Sequence, residues 1–128
     1  MTANAFKVSK TITYENGQLK YTYQPGSVNL PQATQGYTDK TVSVTTAEAD
    51  LSLSELGTPG RCILRNLEAT TTGNYVTWGP KTSTGGIETI GRVPPKDETQ
   101  IIVATSTCVI RWQASAGTVG VQVLCFEE

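Results

Sequence analysis

The sequence predicts an all-β fold, a β-sandwich or jelly roll with an N-terminal β-hairpin arm, and three observations point to it. Short runs rich in β-branched and aromatic residues recur along all 128 residues, separated by Gly, Pro, Asn and Asp. Asn16-Gly17 sits between two alternating runs near the start, as in a two-residue hairpin. The last two runs, Cys108 to Ala114 and Val119 to Phe126, read as interior strands, because apolar residues fall on both faces near the C-terminus.

Taken in order, Ala5 to Gln24 reads as one ribbon turning through a type I′ turn at Asn16-Gly17. Pairing outward sets Glu15 against Gln18, Tyr14 against Leu19, Ile12 against Tyr21 and Lys10 against Tyr23. Side chains alternate between faces, so one face collects Phe6, Val8, Ile12, Tyr14, Leu19, Tyr21 and Tyr23. The other shows Ser9, Thr11, Thr13, Lys20 and Thr22. A two-stranded ribbon is marginal alone in water, so the apolar face requires cover from the rest of the chain or from a neighbouring subunit. Its seven side chains are the candidate partner contacts.

Pro25 to Asp39 lacks periodicity and reads as a linker that, at about 3.3 Å per residue, reaches on the order of 50 Å. The chain thus divides into a hairpin and linker arm, residues 1–39, and a β-sandwich domain, residues 40–128. Within the latter, strands are expected at Thr41 to Thr45, Arg61 to Leu67, Tyr75 to Gly79, Ile87 to Val93, Thr99 to Ala104, Cys108 to Ala114 and Val119 to Phe126. Thr46 to Leu56 is the one stretch with helical character, for barely two turns.

Composition narrows the function. The chain has no histidine, the commonest general base and metal ligand, so the sequence predicts a non-enzymatic protein without catalytic residues, metal or cofactor. Ten basic side chains against eleven acidic give a net charge of −1, and the basic ones are scattered, which argues against nucleic acid as a partner. No apolar run approaches the roughly 20 residues of a membrane-spanning helix. The opening MTANAFKVSK lacks the apolar core of a secretory signal, so synthesis and assembly in a cytoplasm are expected.

Cys62, Cys108 and Cys125 form no C-x-x-C pair and fall inside apolar patterns, so they read as small buried thiols rather than nucleophiles or zinc ligands. Ser83-Thr84-Gly85-Gly86 and Leu56-Gly57-Thr58-Pro59-Gly60 lack the Lys-Ser/Thr ending of a phosphate loop and read as turns. The carboxylates Glu88, Asp97, Glu98, Glu127 and Glu128 read as surface charge rather than a glycosidase pair. Tyr75, Trp78 and Trp112 suggest a sugar-stacking platform, but alternation sends Tyr75 and Trp78 to opposite faces and places Trp112 with Cys108 and Ile110. A carbohydrate-binding module is therefore a lesser alternative.

Leu56-Gly57-Thr58-Pro59-Gly60-Arg61-Cys62-Ile63-Leu64-Arg65-Asn66-Leu67-Glu68, then Asn74-Tyr75-Val76-Thr77-Trp78-Gly79, and finally Val119 to Glu128, resemble the pattern of small virion proteins of tailed bacteriophages. The likeness spans about the C-terminal two thirds and departs at Pro94-Pro95-Lys96-Asp97-Glu98, where the pattern has Pro-Gly-Glu. It implies a β-sandwich serving as a capsid decoration or cement protein, commonly a homotrimer, with a major capsid protein or another virion protein as partner. A tail or receptor-facing accessory role in the virion is the runner-up. Location in the virion follows from the same resemblance.

Overall fold

A computed structural model describes residues 4–31, 36–57, 59–103 and 109–127, with the backbone alone for 4–6 and 28–31. The chain falls into two compact units, Met1–Ala33 and Thr34–Glu128. The division lies inside the stretch expected to be linker.

The first unit is a nested antiparallel ribbon. Strands β2 (Ile12–Asn16) and β3 (Leu19–Tyr23) form its inner hairpin, while β1 (Asn4–Ser9) pairs with β4 (Ser27–Pro31) outside it. The loop is Gly17-Gln18, not Asn16-Gly17: Asn16 pairs with Leu19, Glu15 with Lys20, Tyr14 with Tyr21 and Ile12 with Tyr23. Gly17 has φ +61° and Gln18 keeps a negative φ. That combination, glycine first in the loop, is the type II′ arrangement rather than the expected type I′. Every cross-strand partner moves by two residues, so the faces keep their composition.

The expected pairing of Lys10 with Tyr23 is also replaced. The ribbon breaks at Lys10-Thr11, and β1 continues with β4, setting Phe6 opposite Leu30 and Val8 opposite Val28. The expected linker therefore holds a strand, Ser27–Pro31, and a further strand begins at Tyr37.

The second unit is an antiparallel two-sheet sandwich. Its remaining strands are β5 (Tyr37–Val44), β6 (Ala49–Asp50), β7 (Pro59–Asn66), β8 (Val76–Pro80), β9 (Gly91–Val93), β10 (Glu98–Ile102), β11 (Ile110–Ala114) and β12 (Val119–Glu127). One sheet runs β10-β7-β12-β5 and the other β6-β11-β8-β9, so β11 and β12 are interior strands. The alternation of Val119, Val121 and Val123 with Gly120, Gln122 and Leu124 sends the valines inward. There they join Val44, Leu64 and Ile101 of their own sheet and Val76, Trp112 and Ala114 of the other in one core.

No helix forms among the described residues, and Thr46 to Leu56 shows why. β11 captures that backbone: Ala114 N–H donates to Thr45 O and Leu51 N–H to Ile110 O, both at 2.8 Å. The Gln113 amide reaches Thr46 O at 2.6 Å and the Arg111 guanidinium reaches Glu48 O at 3.1 Å. Groups that a helix would pair internally are taken by the sheet edge. Of the expected strand Ile87 to Val93, only Gly91–Val93 is regular, with Ile87 making an isolated bridge to Lys81.

The cysteines require a correction. Cys62 and Cys125 are buried, face each other across the β7–β12 ladder with Cα atoms 4.1 Å apart, and are joined as a disulfide. They are not separate thiols. Cys108 lies outside the described residues, as does Ala104 at the end of the strand expected before it.

Candidate partner-binding surface

The inner hairpin supplies the densest exposed apolar surface. With the Tyr14–Tyr21 and Ile12–Tyr23 pairs directly opposed, one face carries Ile12, Tyr14, Leu19, Tyr21 and Tyr23. All five are exposed, Leu19 at 65% and Tyr21 at 61%. The opposite face is polar, with Thr13 against Thr22 and a Glu15–Lys20 ion pair at 3.5 Å. Five of the seven expected contact residues thus share one face of one hairpin. Val8 is half-buried on β1, in a different sheet, and the Phe6 side chain lies outside the described residues.

Further apolar side chains lie on the outer face of the β10-β7-β12-β5 sheet, interspersed with Arg65, Glu98 and Gln122, among residues that the sequence reading did not single out as contacts. Because Leu124 pairs with Ile63 on one side and with Asp39 on the other, these three share a row across the sheet. Ile102 is 56% exposed at one edge of the sheet, and Tyr37 is 70% exposed at the other, its ring 6.5 Å from that of Phe126. Between them Ile63, Arg65, Glu98, Gln122 and Leu124 line a dimple of about 140 Å³. The signal was present in the sequence as apolar residues on both faces of β12. Its extent required the register of β5, β7 and β10, which sequence spacing does not give.

Other candidates resolve into structure. Trp112 is buried in the core, and Trp78, its direct partner on β8, packs against that same core. Tyr75 instead lies under the Arg92 guanidinium, 5.4 Å from the ring centre. No shared aromatic platform results. Both glycine-rich pieces belong to turns or strand starts: Arg111 donates to Gly85 O, and Gly57 N–H donates to Glu127 Oε1 at 2.6 Å. A cavity of about 240 Å³ beside Val103 is lined chiefly by Leu51, Leu53, Leu56 and Ile110, with Ser54 the only hydroxyl among the described lining residues. Among the described residues no cluster of three His, Cys, Asp or Glu is placed to hold a metal ion.

Among the described residues, one ionisable group is displaced. Glu55 accepts from Lys40 Nζ at 2.7 Å and from Thr38 Oγ1 at 2.9 Å. The Lys40 hydrogen bond, above all, holds its carboxyl below the ordinary value of 4.5, against a small opposing effect of burial. Lys40 also donates to Ser52 O at 2.5 Å, so the pair fastens the 51–57 loop to β5.

No protein-family model matches the chain, and no curated protein does. Among solved structures, the chain is similar to a Yersinia pseudotuberculosis-derived mitogen. That likeness has 10% identity and a TM-score of 0.44, covering 74% of this chain and 88% of the mitogen.

Proposed function

We propose that this chain is a non-enzymatic structural protein of a bacteriophage virion, a capsid decoration or cement protein acting by binding rather than turnover. The observation that carries the contact mechanism is the five-residue apolar face of β2–β3, left in water on a ribbon that forms its own compact unit. Burying a large apolar side chain contributes roughly 1.5–3 kcal/mol, so covering this face on another protein gives association a substantial driving force. The phage assignment rests on the resemblance of residues 56–79 and 119–128 to small virion proteins.

The Cys62–Cys125 disulfide is compatible with a particle that leaves the cell, since disulfides persist in oxidising surroundings. The test is co-sedimentation of the full chain with empty shells of the encoding phage, alongside the thermal disassembly of those shells. Saturable binding and a raised disassembly temperature are expected. A chain that stays in the supernatant at every concentration removes the assignment.

A further inference from the structure

We infer that the loop 51–57 is a hinged cover over the Cys62–Cys125 disulfide, and that its opening lets the folded chain exchange this bond with small dithiols, making the pair a redox-active site. Such a site is independent of the proposed shell binding and uses none of the exposed apolar surface.

The disulfide sits at the margin of the sandwich interior. It packs in a small cluster with Leu56, Val103 and Leu53, whereas Leu64, Val76, Trp112 and Val121 belong to the larger core between the sheets. Among the described residues, no strand of the β6-β11-β8-β9 sheet contributes to the small cluster, so the loop stands in for the second layer there. Both cysteines are at most 1% exposed, and sulfurs so buried do not meet a thiolate while the cover is in place. Two leucines of the loop and one valine provide that shield.

The loop's fastenings are polar and peripheral. Glu55 accepts from Thr38 and Lys40 of β5, Lys40 also donates to Ser52 O, and Gly57 N–H donates to Glu127 Oε1 near the end of β12. Water reaches the Lys40–Glu55 pair, whose side chains are 29% and 37% exposed, and weakens it. The two ends are fixed, at Leu51 by its N–H bond to Ile110 O and at Pro59 by the start of β7. A segment with few buried contacts, held by exposed hydrogen bonds between fixed ends, opens locally at lower cost than the whole domain unfolds.

The ladder keeps the two sulfurs together in either redox state. Cys62 and Cys125 are directly opposed, in register with the Ile63–Leu124 and Leu64–Val123 pairs, so the bond is not what brings them together. In the exchange a dithiol's thiolate attacks one Sγ, the Sγ–Sγ bond breaks, and its electron pair leaves on the other sulfur, which takes up a proton. The second reductant thiol displaces the mixed disulfide, leaving two protein thiols and an oxidised reductant, with two electrons and two protons transferred.

The experiment follows reduction of the oxidised full chain by dithiothreitol, trapping thiols with iodoacetamide and counting them by mass, across urea concentrations below the unfolding transition. Two new thiols are expected to appear at a rate nearly independent of urea, because little surface is exposed in a local opening. Lys40→Met, which removes one ion pair and one hydrogen bond from the loop, raises that rate on the order of ten-fold. Val119→Ala, in the larger core, lowers the urea midpoint yet leaves the rate unchanged. Reduction that rises with urea along the full unfolding slope, or that Val119→Ala accelerates, shows a route through global unfolding and overturns the inference. A folded Lys40→Met reduced no faster than the parent overturns it as well, and should that variant not fold, the parent's urea slope and Val119→Ala still decide.

Discussion

Asn66 donates its side-chain amide to the carbonyl of Val93 at 3.0 Å, joining the end of β7 to the end of β9. The same amide reaches Asn74 O at 3.0 Å, and its carbonyl oxygen accepts the Glu68 N–H at 2.9 Å. Asn66 is fully buried, so one side chain satisfies three backbone groups that would otherwise be desolvated without partners. Replacing it with Ala is expected to cost about 2–4 kcal/mol, measured as the shift in urea midpoint at constant slope. Asn66→Asp is expected to cost at least as much, because it turns a donor into an acceptor facing two carbonyls.

The disulfide closes a loop of 63 residues. In the chain-entropy account, a loop of that size contributes about 4 kcal/mol. Unreduced, denatured protein should show one titratable thiol per chain and reduced protein three. The Cys62→Ala, Cys125→Ala double variant should lose stability on the same scale. Three free thiols without reductant would show that the bond does not form.

Lys96 adopts φ +64°, the left-handed conformation in which glycine has no steric penalty. Lys96 thus takes a backbone conformation that glycine would adopt without strain. Its Nζ also donates to Leu67 O at 3.2 Å, partly offsetting the backbone cost. Lys96→Gly is expected to stay within about 0.5 kcal/mol of the parent, whereas Lys96→Val, β-branched in that conformation, loses about 1–2 kcal/mol. Equal stability of the two variants in urea would contradict the assigned turn.

Glu55 makes stability depend on pH in a defined direction. Its folded pKa lies below the unfolded one, so its contribution is full above about pH 4.5 and fades as pH falls through the lowered value. The side chain is 37% exposed, which limits the effect to a few tenths of a kcal/mol. Thermal midpoints of Glu55→Gln and the parent should therefore differ at pH 7 and converge toward pH 3.

The sandwich was legible because its strands alternate strictly and its breaks fall at Gly and Pro. Two motif residues behind the phage resemblance prove to be architectural: Asn66 ties three segments, and a side chain at Gly79 would collide with the Glu88 carbonyl. Asn66 and Gly79 mark the scaffold, whereas Ile63 and Leu124 of the same segments lie on the outer sheet face. The hairpin's apolar face was legible too, since parity survives the shift from Asn16-Gly17 to Gly17-Gln18. What local sequence could not supply was long-range pairing. The Ser27–Pro31 strand is defined by its partner β1, and Cys62 meets Cys125 only because β12 lies beside β7. The failed helix at Thr46 to Leu56 has the same origin, in side chains of Arg111 and Gln113 more than sixty residues away.

The pairing of β5 with β12 sets Tyr37 beside Phe126 at one end of their ladder. A pull applied to those two residues in opposite directions loads the ladder's rungs one after another, so it opens like a zip and yields at low force. Once β5 has peeled away, Cys125 remains anchored to Cys62, and tearing stops there until that covalent rivet is cut. In an expanding container, such a seam gives first and then holds.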